Sequence, residues 1–226
     1  MKYLFLLLIF ITHIGLAMSL KTFRNAILSD KDADEALTIA VERKKAKYPS
    51  ITKEKIVDMI LLPIAAHESD MTYDPKMKQY DGGPGRGAFQ FEPDSMISAL
   101  VRAERVFKDK KLPAYIKNSK EKYMHDASKL SAGQQAALLV YDFLEKPDAD
   151  IGMVASDKPS MPITQFWRQY HWAGKKDRIV EKARIDSFNK HKLQYENDYS
   201  KQINQTRVRN IKQPPEKGNL AEVIYK

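Results

Sequence analysis

Apolar positions recur at helical spacing along most of the chain. Residues 32–48 alternate as a polar amphipathic helix that Pro49 ends. Over 52–68, Ile56, Met59, Ile60 and Ile64 fall on one stripe, and Pro63 is expected to kink the last turn. The period then disappears over 69–93, a Gly-rich stretch that reads as a loop or a small sheet. A helix restarts with Asp94 or Ser95 as its cap and with Met96, Leu100, Ala103 and Phe107 facing a core. Ser131 and Gln134 form a capping box ahead of a run that is apolar nearly all round, the pattern of a buried helix. A short aromatic helix follows, stopped at Gly174, and then a long charged helix over about 177–204. From 205 the period is lost and Pro214-Pro215 follows, so 205–226 is expected to be a basic flexible tail. The sum is an α+β class that is mostly α-helical, with a small irregular or β element after the second helix. No internal repeat divides it, so 20–204 is read as one domain.

The first 19 residues stand apart. One Lys precedes an apolar run of about 15 residues, and Gly15 and Ala17 follow as a small-x-small site, the grammar of a secretory signal peptide. An uncleaved anchor over 3–20 is the alternative, since the run is long enough to span a thinned bilayer. Either reading sends the chain out of the cytoplasm, to the periplasm or cell envelope, and limits membrane contact to this segment.

Charge adds a partner class. The chain carries a net charge of +9, which favours an anionic polymer or surface. Residues 175–226 hold 13 Lys and Arg against 7 Asp and Glu, so most of the excess sits at the C-terminal end. The absence of cysteine removes disulfide and thiol chemistry. The five histidines show no ligand spacing, so no metal and no cofactor are expected.

The chemistry concentrates where the second helix stops. Glu68 faces the negative end of that helix among Ile64, Ala65 and Ala66, an environment that disfavours charge. It is a poor place for a stabilising surface Glu and a good one for a general acid. Beyond it, Gly85 and Gly87 allow tight turns or close approach of a ligand, and Gln90 and Phe91 offer an amide and an apolar face to a sugar ring. A phosphate cradle does not fit, because no strand precedes the glycines and no G-K-[ST] follows.

Glu68-Ser69, followed by Gly87-Ala88-Phe89-Gln90-Phe91-Glu92-Pro93, resembles the lysozyme-like superfamily: soluble lytic transglycosylases and goose-type lysozymes. The 22-residue distance from Glu68 to Gln90 is similar to the goose-type spacing, whereas Pro93 resembles the transglycosylase form. The family's Tyr-Asn-Ala-Gly motif is matched only in Ala173-Gly174, with His171-Trp172 in place of Tyr-Asn and Tyr170 one residue earlier. The resemblance implies a lysozyme-like fold and a muramidase that cleaves the MurNAc-β-1,4-GlcNAc bond of peptidoglycan strands. It implies Glu68 as general acid, Asp81 and Glu92 as accessory carboxylates, and Ser69, Gly87, Phe89, Gln90, Phe91, Tyr170 and His171 as substrate contacts.

If Asp81 or Glu92 activates a water, the enzyme is an inverting hydrolase. If neither does, Glu68 works as acid and then base, and the sugar closes on itself as a 1,6-anhydro product. Two other classes are weighed beside the enzyme. A catalytically inactive lysozyme-like scaffold would bind the wall or an envelope or virion assembly. A nucleic-acid-binding protein would use the basic charge, although no recognisable binding motif accompanies it.

Overall fold

The computed structural model describes residues 17–79, 82–108, 110–121, 125–171 and 178–212, with the backbone alone for 203–212. The described residues are mostly helical, and none forms a strand. Helix α1 (Leu20–Ser29) is capped by the Ser19 hydroxyl, and Asp30 ends it while capping α2 (Lys31–Lys44). The Met18 N–H bonds the Thr72 carbonyl, so the folded body already includes the two residues before the expected domain start.

α3 (Lys53–Ile56) runs through a π turn (Val57–Leu61) into α4 (Leu62–Glu68). The expected proline kink takes this form for a steric reason. A proline ring clashes with the carbonyl four residues back, and a widened turn makes room for it. In that turn the Leu62 N–H reaches the Val57 carbonyl, five residues back. The Asp58 carbonyl would then need the N–H of residue 63, which is Pro63 and has none. The Tyr195 hydroxyl supplies the missing donor at 2.7 Å.

α5 (Pro93–Val106) begins one residue before the expected cap. Glu92 occupies the cap position without a side-chain bond, because Pro93 starts the helix with a preset φ and no N–H to satisfy. Its Met96, Ala99, Leu100 and Ala103 are buried as the spacing requires. α6 (Ala114–Glu121), absent from the sequence reading, packs on α5. α7 (Ala132–Glu145) starts with the expected Ser131/Gln134 capping box and runs through the core against α1, α2 and α5. α8 (Ile163–Tyr170) is short and aromatic.

α9 (Arg178–Lys212) leans on α4 and α8. Phe188, His191, Tyr195 and Tyr199 recur along it at three- and four-residue spacing. Phe188 and Tyr195 are buried, and the other two are half-buried. Asp58 anchors this stripe: Arg24 forks onto its carboxylate at 2.7 and 3.0 Å, and Tyr199 donates to it at 2.6 Å. The helix continues to Lys212, so residues 205–212, expected to begin the flexible tail, are helical. Residues 213–226, like the N-terminal 1–16, lie outside the described residues.

Candidate active site

Glu68 is the last residue of α4, and the chain behind it is tightly determined. The Ser69 hydroxyl donates to the Ala65 carbonyl at 2.6 Å and accepts the Tyr73 N–H at 2.9 Å. Between them Asp70, Met71 and Tyr73 all take positive φ, a conformation that costs a side chain of ordinary size. Ser69 is thus fully buried and closes a turn; it does not line the cleft as a substrate contact.

The described residues of 69–92 are irregular and carry two isolated bridges, Lys78 with Arg86 and Arg86 with Phe91. Positive φ at Gly82, Gly87 and Gln90 breaks the pairing before a strand can form. The loop is held from the core by Gln135, a fully buried amide of α7. Its Oε1 accepts the Ala88 N–H at 2.9 Å, and its Nε2 faces the carbonyls of Pro75, Ala127 and Leu130 at 2.7, 2.9 and 3.1 Å. Gly87 is required here twice over. Its φ is +78°, and a Cβ at this position would overlap Gln135 Oε1.

Loop, α4, α5, α7 and α9 enclose a cleft of about 680 Å³, within the usual size for a ligand site. Glu68, Gln90, Phe91, Glu92 and His171 line it. Glu68 sits deep, its side chain 12% exposed, whereas Glu92 stands exposed on the rim. Gln90 donates through Nε2 to the Gly87 carbonyl at 2.7 Å, and its buried Oε1 has no hydrogen-bond partner among the described residues. Phe89 and Tyr170 do not reach the cleft. Phe89 turns into the core beside Phe23, and Tyr170 sends its hydroxyl to the Asp148 carbonyl at 2.6 Å. One residue along a helix rotates a side chain by about 100°, which is why His171 faces Glu68 when Tyr170 faces away. Asp81, Trp172, Ala173 and Gly174 lie outside the described residues.

The polar contacts of Glu68 come from α8. Trp167 Nε1 donates to Glu68 Oε1 at 2.7 Å. His171 Nε2 lies 3.6 Å from the same oxygen and 3.0 Å from the Phe89 carbonyl. Trp167 is fully buried, and its bond to Glu68 was not expected from the sequence. The available signal was spacing, since 167 and 171 share a helix face.

Behind Trp167 lies a second polar chain. His67 meets the indole edge-on, with centroids 4.8 Å apart, and its Nδ1 is 3.2 Å from Nδ1 of His191, whose Nε2 is 3.0 Å from Asp70 Oδ1. Burial, and then the charge of His191, push His67 down to about 3, so its ring is neutral in the fold near pH 7.

The far wall is ionic. Asp142 pairs with Arg102 and, at 3.3 Å, with Lys146, which also donates to the Tyr170 carbonyl at 2.5 Å. These three side chains from α5, α7 and the end of α7 were not expected at the site. They arise because α5 and α7 pack side by side.

No protein-family model matches the chain, and no curated protein and no solved structure matches it significantly.

Proposed function

We propose that the protein is a lysozyme-like muramidase that cleaves the MurNAc-β-1,4-GlcNAc bond of peptidoglycan with Glu68 as general acid. One observation carries this reading. A nearly buried carboxyl stands at the base of a ligand-sized cleft, one oxygen fixed by the Trp167 N–H, with a Gly-rich loop, Gln90 and Phe91 beside it. That is the equipment the reaction needs: a positioned proton donor, and an amide and an apolar face for a sugar.

In the reaction Glu68 gives its proton to the glycosidic oxygen, and the C1–O bond breaks with its electron pair going to that oxygen. An oxocarbenium-like centre develops on the sugar. In a hydrolytic second step, water adds to C1 and yields a proton to a second carboxylate. Glu92 on the rim is the candidate base among the described residues. In a transglycosylase second step, the C6 hydroxyl of the same sugar adds to C1 and returns its proton to Glu68, leaving a 1,6-anhydro end. The N-terminal segment would deliver the protein to the envelope, where such strands lie.

The test is digestion of purified peptidoglycan by the protein and by Glu68→Gln, with soluble products read by mass spectrometry. The expected result is muropeptide release by the wild type and a loss of about 10³-fold or more in the variant, as for removal of an essential proton donor. Reducing ends identify hydrolysis, and anhydro ends identify transglycosylation. Wall binding without release by either protein would instead make the chain an inactive scaffold. Release that is equal in both proteins would remove Glu68 from the chemistry.

A further inference from the structure

We infer that Trp167 is a positioning residue for the general acid, holding Glu68 Oε1 so that Oε2 carries the proton delivered to the glycosidic oxygen. This inference rests on the glycan-cleaving reading above.

The argument begins with the donor inventory. An indole N–H can only donate, so at 2.7 Å Glu68 Oε1 must accept. A hydrogen on Oε1 along that direction would meet the indole hydrogen head-on. The carbonyl oxygen of a carboxylic acid is a better acceptor than its hydroxyl oxygen, so this bond favours the form with the acid proton on Oε2. His171 adds to the same asymmetry. The Phe89 carbonyl, 3.0 Å from Nε2, can only accept, so Nε2 carries a hydrogen. The positive edge of that ring lies 3.6 Å from Oε1, too long for a hydrogen bond but on the same side of the carboxyl. Trp167 in the last turn of α8 and His171, which caps its C-terminus, lie four residues apart, so one helix end defines which Glu68 oxygen is engaged.

The donor is also immobile. Trp167 is fully buried, stacked on Phe188 of α9 at 4.7 Å between centroids and 29° between planes, and faced edge-on by His67 of α4. A ring held on both sides cannot swing its N–H away when substrate enters. Orientation of this kind is set before the reaction and costs nothing during it. The plainer alternative is that a buried indole needs an acceptor and Glu68 happens to serve. In that case the N–H could be removed without consequence for turnover.

Replacing Trp167 site-specifically with benzothienylalanine separates the two, because sulfur takes the place of N–H in a ring of nearly the same shape. Turnover of purified peptidoglycan by the full-length protein is measured, with Trp167→Phe alongside. A hydrogen bond to a charged group is worth about 1.5–3 kcal/mol, so kcat is expected to fall about tenfold to a hundredfold in both, with KM within about twofold. Activity within about twofold of wild type in the benzothienylalanine protein would overturn the inference, as would a rise in KM at unchanged kcat. A wild-type protein that releases nothing from peptidoglycan would overturn the reading of function itself, which is a distinct outcome.

Discussion

Gln135→Leu tests what holds the cleft loop. The substitution keeps volume and adds apolar surface in a core position, so on packing alone it would be nearly neutral. The hydrogen bonds say otherwise. Leu leaves the buried Ala88 N–H without its acceptor and the buried Leu130 carbonyl without its amide donor, with the half-buried Pro75 carbonyl also losing the amide, while the Ala127 carbonyl keeps the Leu130 N–H. Each buried group left unmade costs about 1–3 kcal/mol, so two of them put the loss at about 4 kcal/mol. Against a domain stability of about 5–15 kcal/mol this is a large share. With a urea m-value of about 2 kcal/mol/M, the midpoint of equilibrium unfolding should fall by about 2 M. Gln135→Glu sharpens the reasoning. A carboxylate can still accept from Ala88, but its second oxygen faces the carbonyls of Pro75, Ala127 and Leu130. That variant should be less stable than Gln135→Leu at neutral pH and should recover part of the loss in acid, where the carboxyl can donate to one carbonyl. A loss below about 1 kcal/mol for Gln135→Leu would refute the assignment of the amide as the loop's clamp.

Two other substitutions test the helix that backs the site. Tyr195→Phe orphans the Asp58 carbonyl that Pro63 cannot satisfy, and should cost about 1–2 kcal/mol in thermal or urea unfolding. Tyr199→Phe should cost less, because its acceptor carboxylate keeps Arg24; the reverse order would count against this account of the π turn. His67 makes stability depend on pH. Its folded value of about 3 lies below its unfolded value, so between these the unfolded chain binds the extra proton and stability falls as pH falls. From an unfolded value of about 6.5, the penalty at pH 5 is about 2 kcal/mol. His67→Phe should remove that share of the loss between pH 7.5 and pH 5, and an unchanged pH slope would show that His67 takes up its proton in the fold.

What the sequence made legible follows from how local each cause is. The Ser131/Gln134 box and the inward face of α5 depend on neighbours three and four residues away, and both were readable. The deep carboxyl was readable too, because an apolar helix that stops on Glu is a local anomaly. The role of Trp167 was not readable, because it depends on a contact with Glu68 across 99 positions of sequence. The choice between Tyr170 and His171 turned on a single step of helix rotation. Gln135 was in plain view as an amide among Ala, Leu and Val, and a buried amide always implies a satisfied network. Its partners lie on three separate stretches of loop, so the network itself could not be read.

The same contrast explains why the end of α4 is built at an energetic cost. Asp70, Met71 and Tyr73 hold left-handed backbone at about 1 kcal/mol or more each, a cost that no surface loop needs to carry. The cost persists because the turn is held from several sides: the Ser69 hydroxyl inside it, the Met18 N–H from the chain start, and His191 of α9 on Asp70. Relaxing those residues would let the chain leave α4 at another angle, and Glu68 would lose the direction in which Trp167 meets it. Five acidic side chains line the cleft against three basic ones, in a protein whose net charge is +9. The excess positive charge thus lies outside the cleft. Under the proposed function, long-range attraction to an anionic polymer and the local handling of a proton at Glu68 would be carried by different parts of the surface, so each could be strong without disturbing the other.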